Sequence, residues 1–182
     1  MSQSLEKAVL ILDAISVGPM SLGELTERVA LPRSATYRWA SIVVKHRILD
    51  YRSARYHLGV KLVELGERSR LGGVLPTVAK RHMLTYSQLV GETMHLAVLD
   101  GSEIVLLEKV AGPRQLQTAS AVGFRAPAYR TSVGKALIAS LPEQSWSYYL
   151  TAHDRLPEER IARLRDELHA IRENGYALDI EE

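Results

Sequence analysis

The sequence predicts a chain in two parts, a mainly α N-terminal domain that closes with a β-hairpin and an α+β C-terminal domain. Three observations lead there. Apolar residues recur at helical spacing as far as Lys45, and then the period shortens to that of paired strands around Arg52-Ser53-Ala54. Gly72-Gly73 interrupts the chain, and beyond it an amphipathic helix gives way to two strand-like segments joined by Asp100-Gly101, a strong hairpin signal.

The first helix is expected from Ser4 to Ile15, where Leu5, Ala8, Val9, Leu12 and Ile15 share a face and Gly18-Pro19 ends the run. Ser21 followed by Glu24 forms a capping box: the serine oxygen takes a free amide and the glutamate reaches back. Leu22, Leu25 and Val29 then face inward. Ala30-Leu31-Pro32 is a turn, with Pro32 suited to the start of a third helix because its missing N–H costs nothing there. That helix runs from Arg33 to Lys45, with Ala35, Trp39, Ile42 and Val43 as its expected buried stripe. Ile48–Tyr51 and Arg55–Leu58 make the hairpin. Three helices and a basic hairpin predict a winged helix-turn-helix over residues 1–58. A helix over Gly59–Leu71 serves as a linker within 59–73.

Charge assigns a use to this end of the chain. The net charge is only +2, yet residues 1–70 hold eleven Lys and Arg against seven Asp and Glu, and residues 71–182 hold twelve against fourteen. Between Arg33 and Arg55 stand six basic residues and one acid, Asp50. A basic front end on a slightly acidic body points to nucleic acid. Arg33, Ser34, Tyr37, Arg38, Ser41 and Lys45 of the third helix and Arg52 and Arg55 of the wing are the candidate DNA contacts, with Arg47 in a lesser place. Arginine pairs with guanine edges or phosphates, and the hydroxyls reach backbone oxygens.

In residues 74–182, Leu75, Val78, Ala79, Met83, Tyr86, Leu89 and Val90 mark a helix ending at Gly91. Thr93–Leu99 and Glu103–Val110 are strands, and Gln115–Ala121 is a weaker one. Ser132 is placed to cap a helix reaching Ser140; Pro142–Leu150 and Pro157–Asn174 are two more, the last stopped by Gly175.

Several stretches resemble the isocitrate-lyase-regulator (IclR) family of bacterial transcription factors over essentially the whole chain. They are SLEKAVLILDAI, LGELTERVALPRSATYRW and YHLGVKLVELG in the first half, then HLAVLDGSEIVLLEKV, VGFRAPAYRTSVGKALIASL and GYALDIEE. The resemblance implies a repressor or activator that binds double-stranded DNA, with a palindromic operator as the expected target. It implies a GAF-like effector-binding domain for a small organic or aromatic acid, and a homodimer or dimer of dimers. Leu58, Leu62 and Leu65, on one side of the linker helix, are candidates for the dimer contact.

Three departures stand out. Ala35 replaces the family's usual Thr, and Arg47 replaces the Gly that ends the recognition helix; a left-handed backbone there costs a non-glycine residue about 1 kcal/mol. GYALDIEE leads in the family into further strands, whereas this sequence ends at Glu182, so the effector domain is expected to be incomplete at its C-terminus. These departures favour the alternative, a ligand-binding or protein-interaction module that has lost DNA binding.

For the effector, the expected contacts are Leu116, Val122 and Phe124 as apolar wall, Arg130 as a charge, and Thr131, Ser132 and Val133 at a helix start whose free amides hold a carboxylate. Ser132 acting only as a cap is the plainer reading. Gly134-Lys135 is not half a phosphate loop, since Tyr129 and Ala136 occupy the positions that need Gly and Ser or Thr. No catalytic constellation is present, so no enzyme is expected. The six His show no metal-ligand spacing and Cys is absent, so neither a metal nor another cofactor is expected and a reducing, cytoplasmic setting is. No membrane partner is expected, because no apolar run spans a bilayer.

Overall fold

A computed structural model describes residues 3–72, 74–113 and 120–179, and the chain divides into two compact units, Met1–Gly73 and Val74–Glu182. No described helix is long and apolar enough to cross a membrane.

The first unit runs α1 (Gln3–Ser16), α2 (Leu22–Val29), α3 (Arg33–Lys45), β1 (Leu49–Arg52), β2 (Arg55–Leu58) and α4 (Val60–Gly72). Its core gathers Ile11 and Ile15 of α1, Leu25 of α2, Ala40 and Val43 of α3, and Leu49 and Tyr56 of the hairpin. The capping box forms as expected: Glu24 N donates to Ser21 Oγ at 3.3 Å and Ser21 N donates to Glu24 Oε2 at 2.7 Å.

The third helix has the expected limits, but its buried stripe is rotated. Thr36, Ala40 and Val43 are buried, while Ala35 and Trp39 are half-buried and Ile42 is 40% exposed. Thr36 tolerates burial because its hydroxyl donates to the Pro32 carbonyl at 3.2 Å, which removes the cost of an unpaired polar atom.

The end of α3 is a Schellman motif. Arg47 N donates to Val44 O at 2.8 Å, Ile48 N donates to Val43 O at 3.2 Å, and Arg47 takes the left-handed conformation at φ 60°. Arg47→Gly is therefore expected to stabilise the first unit by roughly 0.5–1 kcal/mol, read as a higher denaturation midpoint with an unchanged denaturant slope.

The hairpin turn is shorter than expected. Arg52 pairs with Arg55, leaving Ser53 and Ala54 as a two-residue turn with φ 51° and 58°, the left-handed pair that a type I′ turn requires. Two arginines thus face each other across the strands at the tip.

The second unit runs α5 (Val74–Val90), β3 (Met94–Asp100), β4 (Glu103–Val110), β5 (Arg125–Pro127), α6 (Ser132–Ser140), α7 (Trp146–Thr151) and α8 (Glu158–Asn174). The strands form an antiparallel sheet in the order β3-β4-β5, with a register irregularity at Leu96/Ala97. Ile104 and Leu106 of β4 share a core with Ile138 of α6, Trp146 and Leu150 of α7, and Leu164 and Leu168 of α8.

The helix expected to end at Gly91 forms as α5. In α5 the buried residues are Met83 and Ser87, while Leu75, Val78, Tyr86, Leu89 and Val90 are exposed; Ser87 is accommodated because its hydroxyl donates to Glu92 O at 2.7 Å. The weak strand over Gln115–Ala121 lies mostly outside the described residues, and its described end, Ser120-Ala121, is irregular. The helix expected over Pro142–Leu150 begins as a 3-10 turn at Glu143–Ser145 and becomes α-helical at Trp146.

Candidate nucleic-acid interface and ligand site

At about 100° per residue, the buried Thr36, Ala40 and Val43 define one side of α3 and leave Ser34, Arg38, Ser41 and Lys45 grouped on the opposite side. Arg33, Ser34, Tyr37, Arg38 and Lys45 are exposed and Ser41 is half-buried, so one helix collects all the expected helical contacts. The Arg38 guanidinium sits 5.4 Å from the centre of the Trp39 ring, a cation–π contact that holds it near the helix surface.

On the hairpin, Arg52 is exposed beside Asp50 at 3.4 Å. Arg55 is placed differently. Its Nη1 donates to Pro19 O at 2.9 Å and its Nη2 to Glu24 Oε1 at 3.1 Å, so it fastens the hairpin to the start of α2. Mutual backbone bonds between Met20 and Tyr56 reinforce the same junction.

Glu24 is the hub of this junction. The Ser21 amide, then the Ser21 hydroxyl, then Arg55 hold its carboxyl down to about 2. A carboxyl lowered on folding stabilises the fold above its unfolded value and loses that contribution as pH falls through the folded one. Melting of the first unit, followed through Trp39, is expected to lose stability from about pH 4.5 to about pH 2. Glu24→Gln should melt lower at neutral pH and show a flatter acid limb.

In the second unit, Thr131 rather than Ser132 caps α6. Its backbone is extended at φ −121° and ψ 143°, and its Oγ1 accepts from Gly134 N at 3.0 Å. Ser132 is the first helical residue, and it and Val133 are half-buried. Arg130 is exposed and already engaged: Nε donates to Tyr129 Oη at 2.8 Å and Nη2 to Asp154 Oδ2 at 2.9 Å. Val122 and Phe124 are 51% and 47% exposed on a loop whose backbone bonds to Leu106 of β4. Leu116 lies outside the described residues.

The cleft of about 410 Å³ between α6 and α8 is lined by Ala136, Ala139, Ser140, Ile171, Arg172 and Gly175, and none of the expected effector residues lines it. Lys135 is buried, with Nζ 2.7 Å from Glu167 Oε1, and so joins α6 to α8; this agrees with setting the phosphate-loop reading aside.

Sequence reasoning missed a polar group beside the loop. His95 of β3 and Lys109 of β4 are cross-strand partners, His95 Nε2 lies 3.0 Å from Ser120 Oγ, and Lys109 Nζ donates to Ser120 O at 2.8 Å. Burial, and then Lys109, lowers the basicity of His95. Strand pairing from Asp100-Gly101 alone would set His95 opposite Glu108; the register shift at Leu96/Ala97 moves it to Lys109, and no sequence signal marks that shift.

Residues 74–182 match the family described as the bacterial transcriptional regulator IclR C-terminal domain. The chain is 32% identical over 190 residues to the HTH-type transcriptional regulator XynR of Escherichia coli, an alignment covering 99% of this chain and 75% of that protein. It is 34% identical to the HTH-type transcriptional regulator Rv1719 of Mycobacterium tuberculosis, covering 91% of this chain and 65% of the relative. Among solved structures, an IclR homolog from Microbacterium hydrocarbonoxydans complexed with 4-hydroxybenzoate superposes with a TM-score of 0.84 at 26% identity, covering 97% of this chain and 77% of that one. The chain belongs to the IclR family of bacterial transcriptional regulators. The family and these relatives are regulators rather than enzymes.

Proposed function

We propose that this chain is a DNA-binding transcriptional regulator whose first unit is a winged helix-turn-helix and whose second unit is a GAF-like domain that responds to a small organic or aromatic acid. The observation that carries the reading is the outward side of α3, where Ser34, Arg38, Ser41 and Lys45 converge with Arg33 and Tyr37 nearby. Such a surface offers donors to phosphates and base edges along one groove. Arg52 at the hairpin tip is the wing contact, and Arg55 acts by holding the wing in place.

The effector reading rests on the Ser132 and Val133 amides at the start of α6, next to the Gly134 amide that Thr131 holds, on the exposed Val122 and Phe124, and on the relative solved with 4-hydroxybenzoate. Lys109 and His95 add a positive, hydrogen-bonding group near that loop. A homodimer, or a dimer of such dimers, on a palindromic operator is part of the proposal. Leu58 and Leu65 are each 47% exposed and Val60 and Val63 more so, which leaves α4 and its approach with apolar surface for a second copy. The setting is the cytoplasm, where the DNA is.

Capture of genomic fragments by the 182-residue chain at two salt concentrations, with and without 4-hydroxybenzoate, tests this. A reproducible subset retained at low salt, lost at high salt and altered by the acid is expected. Absence of any retained subset would favour a ligand-binding module without DNA recognition.

A further inference from the structure

Ile42 stands out on the surface of α3. Periodicity assigns it to the core, yet it is 40% exposed. It lies one turn beyond Arg38, about 40° from it around the axis, on the side opposite Thr36, Ala40 and Val43. Its neighbours at helical spacing are the exposed cations Arg38 and Lys45 on one flank and the half-buried Trp39 on the other. A branched apolar side chain among donors gains nothing from water. In the major groove the apolar group available to it is the C5 methyl of a pyrimidine, which thymine carries and unmodified cytosine lacks.

We propose that Ile42 is a specificity-determining residue that selects a thymine by packing on its C5 methyl, next to the base pair approached by Arg38. The inference rests on the reading of α3 as the DNA-reading helix. Arg38 and Ile42 then form a pair of unlike readers, one seeking acceptors and the other a methyl, on adjacent turns of a single face. The β-branch suits the task because Ile42 has few χ1 states to lose on contact. The alternative source of the same chemistry is 5-methylcytosine.

The test begins with duplexes selected by the 182-residue chain from a random pool of unmodified DNA, and in parallel from a pool carrying 5-methyl-dC in place of dC. Each thymine of the selected site is then replaced by dU, which removes only the methyl. One thymine per half-site is expected to be dU-sensitive, with about threefold to tenfold weaker binding. Ile42→Ala should bind the thymine and uracil duplexes equally at that position, and Ile42→Val should retain part of the preference. The dU comparison uses the unaltered protein, so it does not depend on how a variant folds. Sites from the methylated pool that enrich 5-methyl-dC at this position in preference to thymine would overturn the thymine assignment. Equal dU sensitivity of wild type and Ile42→Ala, or none in either, would overturn the role of Ile42 alone. Selection that enriches no sequence would overturn the reading of α3 along with it.

Discussion

Replacing Gly134 by alanine is expected to destabilise the second unit by about 3 kcal/mol or more while leaving the first unit intact. A Cβ built on Gly134 would lie 2.1 Å from the Ala128 carbonyl oxygen and 2.7 Å from two further backbone atoms of Ala128. No rotamer relieves a clash with backbone. Gly134 also donates its N–H to the Thr131 cap, and the turn at Ala128–Arg130 carries the buried Ala128 and Tyr129 into the core. Moving either side of this contact therefore disturbs the cap and the core together. The two tryptophans, Trp39 and Trp146, fall one in each unit, so each reports on its own unit when the other is replaced by Phe. Early melting by Trp146 with an unchanged Trp39 transition is the expected result. An unchanged Trp146 transition would show that the approach of α6 to Ala128 is not a fixed feature.

Much of the fold was legible because it is written in local chemistry. Ser21 and Glu24 announce a capping box, Asp100-Gly101 a hairpin and Gly175 a left-handed stop, and all three form. Arg47 was legible as a strained helix end, and it closes a Schellman motif at positive φ. Failures came where a local bond changed what burial costs. Thr36 and Ser87 are buried because each hydroxyl finds a carbonyl, and Ile42 is exposed although its spacing suggests burial. The three-residue β5 is too short to show alternation. In Thr131-Ser132 two adjacent hydroxyls compete for one cap, and the backbone conformation decides for Thr131. In the candidate sites, the helical residues were readable from a single periodic segment. The engagement of Arg55 with Pro19 and Glu24, and of Arg130 with Asp154, spans long stretches of sequence and depends on the folded junctions.

Loss of Arg38 from the outward side of α3, together with the exposed Arg33 at the start of the helix, is expected to weaken DNA binding strongly. Arg33 and Arg38 are exposed residues on a helix whose core side is apolar or satisfied, so Arg33→Ala/Arg38→Ala should fold normally and lose affinity. Each neutralised phosphate releases counterions, which makes log affinity fall linearly with log salt, with a slope near 0.9 per contact. The most direct measurement is the affinity of the 182-residue chain for a duplex it selects, taken across a salt series for wild type and double variant. A steep linear dependence is expected for wild type. The variant is expected to bind more weakly at every salt concentration, with the slope reduced by about 1 for each phosphate contact removed. Superimposable lines for the two proteins, or a wild-type affinity indifferent to salt, would contradict DNA binding through α3.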